Sequence, residues 1–219
     1  MLILAHRGLW SADVPKNSEV SFIRALENGF GLETDLRDLS AKIVVSHDMA
    51  DGDCVTVERL LDLVAELSPD APLALNIKAD GLSAELCALL KKYDIRNHFF
   101  FDMSVPDMLS YVSREMPVFT RLSDYEPDPV LKEKAFGVWL DAFESEWYLK
   151  KSLSEIIAIY SKVAFVSPEL HGRAHAPTWV WLAKELRTLE KGRENVMLCT
   201  DFPLEAKNYM LSEGVYEQD

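Results

Sequence analysis

The 219 residues carry 23 Lys and Arg against 36 Asp and Glu, a formal net charge of −13, with 48% apolar and 27% charged residues. This is globular composition, neither disordered nor collagenous, and the acidic surplus argues against a general binder of nucleic acid or anionic membrane, whose phosphates it would repel. No apolar run approaches the roughly 18 residues of a membrane-spanning helix, so no stable membrane association is expected.

Cys54, Cys87 and Cys199 are widely spaced and form no CxxC pair. Neither a disulfide framework nor a zinc ribbon is expected, which suits a reducing, cytoplasmic compartment. At the N-terminus Leu2-Ile3-Leu4-Ala5 runs straight into His6-Arg7-Gly8 without a basic region before it, so no removable leader is expected there.

In chain order, short apolar runs predict strands at Leu2–His6, Gly31–Asp35, Lys42–Ser46, Pro72–Lys78, His98–Ser104, Pro117–Leu122, Gly137–Phe143, Val163–Ser167 and Val196–Thr200. Helical periodicity falls between most of them. Thr56–Leu67 places Val57, Leu60, Leu61 and Val64 on one face and Glu58, Arg59, Asp62 and Glu66 on the other. Leu82–Tyr93, Pro106–Arg114, Leu153–Tyr160, Trp179–Leu189 and Leu204–Leu211 follow the same pattern. Alternation of this kind predicts βαβ units and a parallel sheet. Only Leu36–Ala41 separate the second run from the third, too few for a parallel crossover, so Lys42–Ser46 is expected to return antiparallel in a hairpin. The other eight strands, alternating with helical patterns, match an α/β fold of the (β/α)8 barrel type, a single domain over residues 1–219. The competing architecture is a doubly wound open sheet, but no GxGxxG follows the first strand.

In such a barrel the working face lies at the carboxyl ends of the strands. His6 and Arg7 end the first, and Glu33 and Asp35, two apart and so on one face, end the second. His47 and Asp48 end the hairpin return, and Asn76 and Lys78 end the next strand. Later ends supply Asp102, Arg121, Asp141, Glu169, His171 and Asp201. Ionisable groups seldom end so many buried strands by accident. Glu33 and Asp35 offer hard oxygens suited to Mg²⁺ or Ca²⁺. His6 and His47 can exchange protons near neutral pH, while Arg7 and Lys78 can hold a phosphoryl group. Together these form a constellation for cleaving a phosphate ester.

Ala5-His6-Arg7-Gly8, Pro15-Lys16-Asn17-Ser18, Glu33-Thr34-Asp35, His47-Asp48, Asn76-Ile77-Lys78 and Thr200-Asp201-Phe202-Pro203 stand in an order that resembles the glycerophosphodiester phosphodiesterase family, within the phospholipase-C-like phosphodiesterases. The resemblance spans Ala5 to Pro203 and is densest before Lys78. It implies a metal-dependent phosphodiesterase acting on a small glycerophosphodiester-like substrate, with His6 and His47 as the acid–base pair, Lys78 supporting the transition state and Arg7 binding phosphate. It also implies Glu33 and Asp35 as metal ligands. The family's third ligand is a Glu, and Asn76 stands at that position; its amide oxygen can still ligate but brings no charge, so weaker metal binding is expected. Lys16 replaces another family Glu, and only Met49–Val55 separate His47-Asp48 from the next helix, where the family often carries a cap. The short link brings the chain closer to uncapped lyases of the same superfamily, which form a cyclic phosphate. That lyase reaction and a non-catalytic binding barrel are the alternatives.

Outside this set, Arg121, Glu169 and His171 are candidate substrate contacts. Asp48 is expected to orient an imidazole or cap a turn, and Asp201 to fix the last strand end. Trp139, Trp147, Trp179 and Trp181 fit packing, and His98 and His175 have no assigned role.

Overall fold

The computed structural model describes residues 1–216. Its strands are β1 (Leu2–His6), β2 (Gly31–Leu39), β3 (Lys42–Val45), β4 (Leu73–Ile77), β5 (His98–Phe101), β6 (Phe119–Leu122), β7 (Gly137–Leu140), β8 (Val163–Val166) and β9 (Val196–Thr200). The α-helices are α1 (Glu19–Glu27), α2 (Val57–Leu67), α3 (Ser83–Lys92), α4 (Val105–Val112), α5 (Leu153–Ile159), α6 (Ala176–Thr188) and α7 (Pro203–Ser212). All nine expected strands are present, six of them one to three residues shorter than the apolar runs that announce them. β2 is longer than expected, continuing past Asp35 to Leu39.

The chain divides into two compact units, Leu4–Val118 in one, Met1–Ile3 with Phe119 onward in the other. In the first, β1, β2, β4 and β5 pair in parallel in that order, and Phe100 forms a further parallel bridge to Val118. In the second, β9, β8, β7 and β6 follow one another, again in parallel. This strand order, with crossovers that are mostly helical, is the topology of a (β/α)8 barrel. β4, β7, β8 and β9 are buried at every residue, the signature of strands covered on both faces.

β3 pairs antiparallel with β2, Leu39 opposite Lys42, so the short link is the hairpin its length demands. Its turn places Ser40 and Ala41 at φ 49° and 61°, both positive as a type I′ turn requires. Two departures from the expected helices stand out. α1 is not apparent from periodicity because Ser21 occupies a fully buried position where an apolar residue would mark the face; its start is set by a capping box of Ser18 and Ser21. Between β6 and β7 the described chain has a 3₁₀ turn, Lys132–Lys134, in place of an eighth α-helix. Trp139 and Trp179 are buried as expected, whereas Trp147 and Trp181 are half-buried. The three cysteines are free thiols, and no helix among the described residues is long and apolar enough to cross a membrane.

Left-handed backbone at Ala41 carries a steric cost that glycine lacks. Ala41→Gly should therefore raise stability by about 0.5–1 kcal/mol after glycine's greater unfolded-state entropy is subtracted; an unchanged or lower urea midpoint would contradict this. At the start of β5, burial pushes the His98 imidazole below its usual value, a hydrogen bond to the Ile95 backbone opposing. The unfolded chain then binds a proton that the folded chain resists, so stability is full above the ordinary histidine range and declines as pH falls through it. His98→Gln should flatten that decline between about pH 7 and 5, where an unperturbed histidine titrates, as urea denaturation across the range would show.

Candidate active site

The Leu4–Val118 unit brings together most of the expected site. The parallel register sets His6 beside Glu33 and Asp35 beside Asn76, so neighbouring strands present these side chains on a common side. After β1 the chain turns abruptly. Arg7 adopts φ 58° and Gly8 φ 86°, and a Cβ on Gly8 would lie 2.5 Å from Ser21 Oγ, so only glycine fits against α1 there. Arg7 is pinned by its own backbone: its N–H donates to the Glu33 carbonyl at 2.9 Å, and its carbonyl accepts from Asn17 N–H at 2.9 Å and from Ser21 Oγ at 3.2 Å. A non-glycine residue is held at positive φ here by several backbone hydrogen bonds, a local strain that the surrounding structure maintains.

Asp35 is the centre of the cluster and is fully buried. Arg7 Nε lies 3.0 Å from Oδ2, and Asn17 Nδ2 donates to the same oxygen at 2.9 Å. Lys78 Nζ lies 3.4 Å from Oδ1. Asn17, itself at φ 55°, also accepts a hydrogen bond from Thr34 Oγ1 at 2.9 Å, tying the loop before α1 to β2. The motif Pro15-Lys16-Asn17-Ser18 contained Asn17, but nothing in its residue type alone marked it as the partner of a buried carboxylate.

Glu33 sits beside this cluster, 2% exposed. Burial, with the Asp35 charge adding to it, holds its carboxyl well above the usual range, against the pull of Arg7 and Lys78. His6 Nε2 is 3.9 Å from Glu33 Oε2. Asn76 Nδ2 donates to Asp102 Oδ2 at 3.1 Å, and Asp102 follows β5 at φ 66°. Three buried oxygens here accept no hydrogen bond: Glu33 Oε2, Asp35 Oδ1 and Asn76 Oδ1. Buried acceptors left open in one cluster are uncommon enough to require an explanation. Among the described residues no three His, Cys, Asp or Glu side chains are placed to hold a metal ion; the oxygen set available to a cation is two carboxylates and one amide.

His47 lies on the loop after β3, its side chain 44% exposed, with Nδ1 2.9 Å from Asp48 Oδ1. That bond holds the Asp48 carboxyl below its usual range. Arg7, Asn17 and His47 line one cleft of about 930 Å³, with Asp13, Lys16, Ser18, Asp48 and Asp51 also on its walls.

The second unit holds a separate polar group. Asp141, buried just after β7, receives His171 Nε2 at 2.7 Å and the Ala142 N–H at 2.8 Å, and Arg121 Nη1 lies 3.5 Å from its other oxygen. The Arg121 guanidinium sits 5.2 Å over the Phe143 ring, which meets His171 edge-on. Glu169 is engaged differently. Its carboxylate accepts from the Ser167 and Thr200 hydroxyls and from the Asp201 N–H, so it links the ends of β8 and β9. The His175 ring lies tilted against Trp179, centroids 4.1 Å apart.

Fold and site together define a (β/α)8-barrel protein with basic, acidic and imidazole groups clustered at one set of strand ends. Neither protein-family models nor curated protein sequences match the chain. Among solved structures, a glycerophosphodiester phosphodiesterase from Agrobacterium tumefaciens is similar at 15% identity and a TM-score of 0.67, covering 92% of this chain and 97% of that one. A glycerophosphodiester phosphodiesterase from Thermotoga maritima aligns at 20% identity with a TM-score of 0.48, over 97% of this chain and 91% of that one. At 15% identity the likeness to the Agrobacterium protein is one of fold.

Removing Asp35 would leave Arg7 and Lys78 facing each other without their shared counter-charge. Asp35→Ala should cost about 3–5 kcal/mol, as for other buried ion pairs broken on one side. A loss below about 1 kcal/mol in urea denaturation would show that the two cations do not depend on it.

Proposed function

We propose that the protein is a divalent-cation-dependent phosphodiesterase that hydrolyses a small glycerophosphodiester-like substrate with a polyol or sugar arm. The single observation that carries this reading is the set of three buried, unbonded oxygens of Glu33, Asp35 and Asn76 beside two cations and a histidine. Hard oxygen donors of this kind suit Mg²⁺ or Ca²⁺, and a cation there would explain why those lone pairs are left open. When bound, a divalent ion would lower the pKa of an attacking hydroxyl or water and offset charge on the phosphoryl oxygens.

The chain's own residues supply the rest. Arg7 and Lys78, both about one-fifth exposed, are placed to accept phosphoryl oxygens in exchange for part of their contact with Asp35. Of His6 and His47, one takes the proton from the attacking oxygen as it bonds to phosphorus. The other gives a proton to the leaving alcohol oxygen as the P–O bond breaks. With Asp48 on Nδ1 of His47, Nε2 is the atom left to move that proton. The cleft beside Arg7 and His47 is walled by Asp13, Lys16, Ser18 and Asp51, polar groups that suit a hydroxyl-rich arm. In the second unit, Arg121 and His171, both held by Asp141, are proposed substrate contacts. Glu169, enclosed by its own hydrogen bonds, is read instead as a brace for β8 and β9.

Purified protein with Mg²⁺ or Ca²⁺ should convert a glycerophosphodiester to a phosphomonoester, followed by phosphorus NMR. Chelation with EDTA should abolish turnover, and His6→Ala and His47→Ala should each lower kcat by about 10²–10⁴-fold. Full turnover in EDTA would remove the cation from the reading, and accumulation of a cyclic phosphate would replace hydrolysis by the lyase reaction.

A further inference from the structure

Asn76 holds the middle position in the cation cluster. The strand order places β4 between β2 and β5, so Asp35 lies on one side of Asn76 and Asp102 on the other. An amide has two unlike ends, one a donor and the other an acceptor. In this structure the donor end faces Asp102, with Nδ2 to Oδ2 at 3.1 Å, while Oδ1 accepts no hydrogen bond. The residue is 7% exposed, so water has little part in choosing the orientation of its amide.

We infer that Asp102 is a positioning residue that turns the Asn76 amide so that its oxygen, and not its NH₂, faces the Glu33 and Asp35 carboxylates. The inference rests on the cation reading of the proposed function. A carboxylate accepts and does not donate, so the reversed amide would bring Oδ1 against the Asp102 oxygens without a proton between them. Without Asp102 the opposite orientation is favoured. The open oxygens Glu33 Oε2 and Asp35 Oδ1 would then draw the NH₂ toward themselves, and its protons would occupy the space a cation needs. Asp102 keeps the site in its cation-accepting form while contributing no ligand atom. Its φ of 66° is a conformation that Asp tolerates better than most residues.

The test is Mn²⁺ binding by isothermal titration calorimetry, which does not depend on turnover. Asp102→Gly removes the side chain without backbone strain, since glycine adopts positive φ freely; it should raise Kd by about 10–100-fold, the usual effect of losing a group that orients a metal ligand. Asp102→Asn keeps an acceptor oxygen for Asn76 Nδ2 and should stay within about threefold of wild type, since the orienting bond survives. Asn76→Asp provides an oxygen at both ends, so in the Asn76→Asp background Asp102→Gly should no longer weaken binding. A merely structural role for Asp102 would weaken it in both backgrounds. Unchanged binding in Asp102→Gly, equal losses in the two backgrounds, or Asp102→Asn as weak as Asp102→Gly would overturn the inference while leaving the cation site standing. No Mn²⁺ binding by the wild type would overturn the cation reading and this inference with it.

Discussion

A fully buried carboxylate, Asp35, organises the Leu4–Val118 unit. An ionised group cannot remain in such a place unless its charge is answered by neighbours, and three chain segments converge to answer it. Arg7 comes from the turn after β1, Asn17 from the loop that opens α1, and Lys78 from the end of β4. Two of those partners, Arg7 and Asn17, stand at positive φ. The sharp turn at Arg7-Gly8 and the packing of Gly8 against Ser21 are the backbone geometry needed to bring the guanidinium onto Asp35.

Compensation of Asp35 is incomplete, and the proposed function rests on the remainder. Its Oδ1 has Lys78 nearby yet accepts no hydrogen bond, and Glu33 and Asn76 each leave an oxygen open beside it. A cluster evolved only for stability would close those lone pairs with donors, because a buried acceptor without a partner loses hydration and gains nothing. Here the two nearest cations are also the groups best suited to a phosphoryl oxygen. Under the proposed function, the same side chains that neutralise Asp35 at rest would be available to an anionic ligand, and the ion pairs would serve as a stored set of phosphate contacts.

The second unit shows the same physics with two different results. Asp141 holds His171 and Arg121, each partly exposed, side by side against Phe143. Glu169 is surrounded by two hydroxyls and a backbone N–H, which satisfies both of its oxygens internally. From residue type alone the two acids look alike, since each follows a buried strand. Their difference lies in which donors the neighbouring strand ends supply, and that is a property of the packed chain.

Local chemistry made much of this molecule legible from sequence. The strands are largely buried segments, so their apolar runs stand out, and the short link Leu36–Ala41 could be only a hairpin because a parallel crossover does not fit in it. The pairing of Glu33 with Asp35, and their common face, follow from the two-residue period of a strand. α1 escaped periodicity because Ser21 fills an apolar position while bonding to the backbone carbonyls of Arg7 and Ser18, a compensation made partly across the fold. The partners of the buried charges were equally out of reach: Asn17 lies 18 residues from Asp35, and Asp102 lies 26 from Asn76. Sequence determined which groups carry charge, which strands bear them and on which face. Only the tertiary structure decided which lone pairs are closed and which stay open, because hydrogen bonding between distant strand ends depends on register and turn geometry that no local pattern encodes.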